Sequence, residues 1–444
     1  MKRTLSLFAI LASAAAAHAD VKLPAIFADH AVLQRGKSVP VWGWADAGEE
    51  VTVKFAGQSK KATAGKDGSW SVKLDELKAS AEPAELSIKG KNEITLKDVL
   101  VGEVWVCSGQ SNMGFTVSSA INGKEEIEKS ANPQIRMFMV PLTVADEPQK
   151  DLVKRDARSA WLEANPQNTG AFTAVGYFFG RELQKELKVP VGLINTSWGG
   201  TRAEAWTSKP ALAAVPTLNA IITGWDEYFK TYDAAKDKAR FEAGAKAAEA
   251  RIAKIKEDNA KPGATKQPLP RTPGKWEDQH QSQHRPAVLF NAMISPLVPY
   301  AVKGAIWYQG ESNAGRAVQY QKLLPTMIKD WRKQWGYDFS FYIVQLAGFG
   351  HGHPHPAPVG TPDDWAELQW AELQTAIMPN FKSGLAVTND IGMLDNIHPT
   401  NKQDVGYRLA LLALVKNKSE AGGPAGSSLG DLQTQKGGRD QPCV

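Results

Sequence analysis

The run Cys107-Ser108-Gly109-Gln110-Ser111-Asn112-Met113 follows directly on Val104-Trp105-Val106-Cys107, a short apolar stretch of the buried-strand type. In parallel α/β sheets, ligands and catalytic groups collect outside the carboxyl ends of strands. A serine on a tight, glycine-containing turn at such an edge has an exposed hydroxyl and a backbone N–H free to face a bound oxyanion. Ser111 is placed for that chemistry, although serine in a turn is more often a cap or turn residue. A second loop, Asp395-Asn396-Ile397-His398-Pro399, carries what a hydroxyl nucleophile requires. Asp395, three residues before His398, can fold back, orient the imidazole and stabilise its protonated form. Pro399 keeps His398 out of the α region. The plainer alternative is a helix entry capped by Thr400 or Asn401.

Two amide- and glycine-rich segments complete the set. Asn195-Thr196-Ser197-Trp198-Gly199-Gly200-Thr201-Arg202 and Gln309-Gly310-Glu311-Ser312-Asn313 each follow an apolar strand. Acyl transfer needs N–H donors aimed at the developing oxyanion, and both a glycine-turn N–H and a side-chain amide serve. Singly, each segment is also an ordinary turn. His351-Gly352-His353-Pro354-His355 has alternating histidines, but no carboxylate or thiol stands beside them to complete a metal site. We read it as a loop bordering the cleft and expect no metal. Cys107 reads as a buried, inert residue, Asp29 and His30 as packing and turn residues, and Trp105, Trp198 and Trp307 as core.

The elements that must hold these residues change character along the chain. Over residues 20–100, Val51, Val53 and Phe55 alternate with polar neighbours, as do Trp70, Val72 and Leu74, then Leu86 and Ile88. Turns at Asp46-Ala47-Gly48, Asp67-Gly68 and Glu82-Pro83 separate them, so a small β-sandwich domain is expected. From residue 101 strands alternate with helices. Apolar strands at 191–194, 304–308, 341–344 and 385–387 are interspersed with helical stripes at 174–187, 365–377 and 401–416. That order predicts an α/β layered domain with a mostly parallel sheet, split into residues 101–207 and 284–418. The intervening residues 208–283 are a Lys/Ala/Glu-rich helical and then Pro-rich insertion, read as a solvated helix and loop rather than a lid or a wall of a substrate cleft. Residues 419–444 have almost no apolar content and are expected to be disordered.

Composition narrows the class. With 43% hydrophobic and 22% charged residues, the 444-residue chain is neither a disordered polymer nor a fibre, and two cysteines make no disulfide scaffold. The formal charge of +5 is too modest to argue for nucleic acid. Lys2, Arg3, an apolar run at 5–17 and Ala17-His18-Ala19 read as a cleavable secretory signal over residues 1–19. No later segment is long and apolar enough to span a membrane. A secreted or periplasmic protein is therefore expected, with no membrane partner.

Four ordered motifs, Gly-Gln-Ser-Asn-Met, Trp-Gly-Gly-Thr-Arg-Ala-Glu-Ala-Trp, Trp-Tyr-Gln-Gly-Glu-Ser-Asn and Ile-His-Pro-Thr-Asn-Lys, together resemble the sialate O-acetylesterase family of SGNH-type hydrolases. The similarity extends to Phe27-Ala28-Asp29-His30-Ala31-Val32-Leu33-Gln34-Arg35 in the β region. The resemblance implies a three-layer α/β/α serine esterase that removes acetyl groups from sugar hydroxyls through an acyl-enzyme, without cofactor. Carried over by motif, Ser111 is the nucleophile, His398 the base and Asp395 its orienting carboxylate. The N–H groups of Ser111 and Gly200 and the Gln309 amide are then the oxyanion donors. Where the family pattern has Asn in that last role this chain has Gln309, with Asn313 four residues on. Asp390 is a competing acid. Asn112, Arg202, Glu311 and Asn313 fall around the substrate, Glu311 bracing its loop. Arg202 faces either a sugar carboxylate or hydroxyl, or Glu204. An acetylxylan- or xyloglucan-type esterase would use the same machinery, whereas a non-catalytic carbohydrate-binding protein would not need it. Family members often continue into further β structure after the last helix, so a truncation or frame change near Ser419 is expected.

Overall fold

Alternation of apolar residues produces strands where expected, in a computed structural model that describes residues 20–153, 155–263, 265–350 and 363–420. The expected signal sequence, the His351–His355 loop, Cys443 and the tail beyond residue 420 lie outside the described residues.

The N-terminal strands are β1 (Val32–Gln34), β2 (Val39–Trp44), β3 (Glu50–Phe55), β4 (Gln58–Thr63), β5 (Ser69–Leu74) and β6 (Ser80–Lys89). The residues chosen for their period of two, Val51, Val53 and Phe55 on β3 and Trp70, Val72 and Leu74 on β5, are buried on one face. β2 and β5 form an antiparallel pair of their own. The remaining strands join the main sheet through β7 (Glu93–Gly109), a 17-residue strand whose first half pairs with β6 and β1 and whose second half pairs with the strands of the α/β region. The expected boundary near residue 100 thus falls inside a strand. A continuous strand rather than a linker joins the two regions, because β7 pairs with β6 and β1 in its first half and with β10 and β11 in its second.

Beyond β7 come α1 (Ser111–Gly114), α2 (Gly123–Glu128), β8 (Asn132–Met139), β9 (Leu162–Ala164), α3 (Ala174–Leu187), β10 (Val191–Asn195), α4 (Lys209–Ala213), α5 (Pro216–Thr231) and α6 (Ala234–Ala260). They are followed by β11 (Gly304–Tyr308), α7 (Ala317–Trp335), β12 (Ser340–Val344), α8 (Asp364–Ala376), β13 (Ser383–Ala386) and α9 (Lys402–Glu420). The sheet runs β13-β12-β11-β7-β10-β8-β9, parallel throughout except for the β8–β9 edge. The second half of β7 and the whole of β10, β11 and β12 are near-continuous apolar runs, as strands covered on both faces must be.

Alternate side chains identify the two layers. Trp105 packs edge-on against Phe179 of α3 and stacks with Tyr342, while Trp307 and Phe341 meet Trp331 of α7. Helices α3 and α9 pack together, as do α7 and α8. The inserted helix α6 buries only Ile255, so it is the solvated helix expected, whereas α5 buries Leu218, Ile221 and Ile222. Among the described residues no helix is long and apolar enough to cross a membrane.

Candidate active site

From β7 the chain winds to one side of the sheet through β8 and β10 and to the other through β11, β12 and β13. The carboxyl end of β7 is therefore a topological switch point, where such sheets bind ligands. Three predicted motifs leave adjacent strands here: Ser111 after β7, Asn195–Arg202 after β10 and Gln309–Asn313 after β11. Gly109 makes the turn possible. Its φ is +137°, and a Cβ there would lie 2.1 Å from the Tyr308 carbonyl oxygen. Gln110 N–H then donates to that oxygen, and its side-chain Oε1 accepts from Gly310 and Ser312, tying the first and third turns together.

The loop after β13 brings His398 to this edge. His398 Nε2 lies 2.8 Å from Ser111 Oγ, although 287 positions separate the two residues. The imidazole is half-buried and stacks with Phe115 at 6.5 Å. Burial, and secondly the charge on Lys402, push His398 below the ordinary histidine pKa. A neutral ring at neutral pH is the form that can take a proton from the serine. Asn401, the plainer alternative's cap, does cap α9, accepting from the Asp404 N–H at 3.1 Å. The helix-entry reading of the loop therefore holds, and it leaves the His398–Ser111 contact in place.

Asp395 is not joined to the ring by any hydrogen bond among the described residues, and it is exposed. The cause is local: Asn396 Oδ1 accepts from the His398 N–H, and Asn396 N–H donates to Met393, a tight turn that leaves Asp395 outside. Asp390, the competing acid, is taken by a two-pronged contact with Arg408.

Gly200 (φ +73°) forms the turn beside Ser111, and a Cβ on Gly199 would be 3.4 Å from Ser111 Cβ. Ser312 Oγ holds this turn by donating to Gly200 O at 2.8 Å. Among the described residues the N–H groups of Ser111 and Gly200 donate to no protein acceptor, which leaves them available to an anion. Gln309 departs from expectation. Fully buried, its Nε2 donates to Thr201 O at 3.2 Å and Asn313 Oδ1 at 2.7 Å, and its Oε1 accepts from Tyr320 at 2.9 Å. Its amide is used up under the sheet edge rather than pointed at an oxyanion. Asn313 is likewise buried, accepting from Ala203 N–H and donating to Glu204.

Asn112, also placed near substrate by motif, is 2% exposed. Its Nδ2 donates to Glu311 Oε1 at 2.6 Å and Ile397 O at 2.9 Å, and its Oδ1 accepts from Lys402 at 2.5 Å. Glu311 braces as expected. Burial raises its pKa against the Asn112 bond, and its Oε2 is buried without a partner among the described residues. Glu372, behind it, is raised well above the ordinary carboxylate range by burial. Lys402, the last residue of the Ile-His-Pro-Thr-Asn-Lys motif, escaped the sequence reading. Its signal was present as a cation opening a helix, where the macrodipole opposes it.

Arg202 does not pair with Glu204, which is held by Arg316 at 2.5 Å and Asn313. Arg202 instead lines a cavity of about 480 Å³ with Arg316, Gln279 and the ring pair Trp225 and Tyr228 of α5. Among the described residues it has no ion-pair partner. The insertion, read from sequence as solvated surface, thus contributes one wall of the Arg202 cavity through α5, while α6 stays outside.

Residues 101–240 match the family model for carbohydrate esterases described as sialic acid-specific acetylesterase. The sialate O-acetylesterase of Mus musculus is 33% identical over 414 residues, 86% of this chain and 71% of the relative. That of Homo sapiens is 32% identical over 409 residues, 84% of this chain and 66% of the relative. The crystal structure of a carbohydrate acetylesterase from Xanthomonas citri superposes with a TM-score of 0.69 at 34% identity, over 89% of this chain and 74% of that one.

Proposed function

The chain belongs to the sialate O-acetylesterase family and is a carboxylic ester hydrolase, and on that premise we propose that it deacetylates O-acetylated sugars through an acyl-enzyme on Ser111. The observation that carries this reading is the 2.8 Å contact between Ser111 Oγ and His398 Nε2. In it His398 takes the Ser111 proton as the hydroxyl attacks the acetyl carbonyl. The Ser111 and Gly200 N–H groups receive the oxyanion, and His398 returns the proton to the departing sugar oxygen. Water, deprotonated by the same imidazole, then releases acetate.

Lys2, Arg3 and the apolar run after them support export of the enzyme. Arg202, without an ion-pair partner among the described residues and set in an aromatic-walled cavity, supports a sugar acid as the preferred acetylated unit over a neutral hemicellulose residue. Replacing Ser111 by Ala tests the chemistry. Acetyl-ester turnover is expected to fall to background with the thermal midpoint unchanged, and turnover at the wild-type rate would falsify the assignment.

A further inference from the structure

Lys402 violates two rules of local stability at once. It is fully buried, although a lysine ammonium loses strong hydration there, and it opens α9, where the helix dipole disfavours a cation. Departures of this kind concentrate at functional sites. What Lys402 touches explains its place. Its Nζ sits 5.0 Å from the Phe115 ring centre and 5.1 Å from that of Tyr308, and donates to Asn112 Oδ1 at 2.5 Å.

That one bond fixes which way the Asn112 carboxamide faces. With Oδ1 on the ammonium, both Nδ2 hydrogens point away, one to Glu311 on the turn after β11 and one to the carbonyl of Ile397. Asn112 is the residue after Ser111, and Ile397 is the residue before His398. Turned by 180°, the carboxamide would set its oxygen against two acceptors and release both loops. We propose that Lys402 is a positioning residue which, by locking the Asn112 amide, holds the nucleophile turn and the histidine loop in the register at which Ser111 and His398 bond. The proposal rests on the Ser111–His398 reading of the chemistry.

The ammonium form does this work, because a neutral amine loses both the cation–ring contacts and the strength of the bond to Asn112. Burial pushes the Lys402 pKa down to about 7, with Glu311 acting in the other direction. The groups facing this centre are Glu311, with Glu372 behind it, His398 across the amide, and the Tyr308 phenol, which burial keeps neutral. Of these, His398 must be neutral and Lys402 charged for turnover. His398 sets an acid limb below its ordinary pKa, and Lys402 sets an alkaline limb near 7.

The test uses the full chain, 4-nitrophenyl acetate as substrate, and Lys402→Met, which keeps the length of the stem. At pH 6.5 kcat is expected to fall roughly 10–100-fold, the scale of a misplaced reacting pair, with KM changed less than about 2-fold. Wild-type kcat should decline above about pH 7, while K402M stays low and flat there and keeps an acid limb, moved to higher pH because the Lys402 charge no longer lowers the His398 pKa. Wild-type kcat in K402M, or an alkaline decline that survives in K402M, overturns the proposal. Should K402M fail to fold, Asn112→Leu decides, since it removes the locked amide itself: the same fall in kcat with KM changed less than about 2-fold is expected, and a wild-type kcat overturns the proposal. Ser111→Ala separates the two levels. Loss of activity in S111A together with a wild-type K402M sinks only the positioning role, whereas an active S111A sinks the chemistry beneath it.

Discussion

Gln309→Met puts the division of labour at the sheet edge to a quantitative test. The side chain is fully buried and makes three amide hydrogen bonds, at 3.2, 2.7 and 2.9 Å. Methionine fills nearly the same volume but makes none of them. Each bond contributes about 1 kcal/mol net. The stranded partners are partly rescued, because Asn313 Oδ1 keeps the Ala203 N–H and the Tyr320 hydroxyl keeps the Gln309 backbone oxygen. The expected loss is therefore about 2–4 kcal/mol rather than the larger cost of fully unpaired groups. For about 400 folded residues the unfolding entropy is about 0.8 kcal/mol/K, so the midpoint should drop by about 2.5–5 °C. An oxyanion donor behaves otherwise, since its removal costs about 10²–10³ in kcat. Differential scanning fluorimetry and acetyl-ester kinetics at 20 °C, where wild type and Q309M are both folded, separate the two. A lowered midpoint with kcat within about 5-fold of wild type is expected. An unchanged midpoint with a 10²–10³-fold kcat loss would refute the reasoning and return Gln309 to the oxyanion hole.

Two further outcomes follow from the same geometry. Asp395→Asn should lower kcat by less than about 3-fold, because no hydrogen bond joins that carboxylate to the imidazole, whereas the aspartate of a working triad costs orders of magnitude. Steady-state kinetics beside His398→Ala decide the point, and a loss equal to that of H398A contradicts it. Arg202→Gln should raise KM about 10-fold for an acetylated sugar acid and leave a neutral acetylated xyloside unaffected, an equal rise for both arguing against a carboxylate contact.

The sequence carried the fold and the central pair well, for identifiable reasons. Strands such as Val104–Cys107 and Val191–Ile194 are short apolar runs bounded by turns, and the motifs after them had to emerge at one sheet edge once the strands were parallel. Ser111 and His398 followed from that placement. The domain boundary was less legible, because a strand that serves two regions shows no composition change where they meet. The amides of Asn112, Gln309 and Asn313 were misplaced for a shared reason. A polar side chain beside a reacting residue reads the same in sequence whether it faces substrate or the residues beneath, and only burial separates the two. Asp395 depended on an Asx turn at Asn396, which spacing alone does not reveal. Lys402 was overlooked because a lysine early in a helix is ordinarily a surface residue, and its burial arises from α9 docking beside Phe115 and Tyr308.

The central claim is that Ser111 carries the acyl group. Treatment of the full chain with a phosphonate fluoride, followed by peptide mapping, tests it most directly. One adduct per chain is expected, on Ser111, formed in step with the loss of acetyl-ester turnover and absent from S111A. An adduct on another residue, or complete inactivation with Ser111 unmodified, would contradict it.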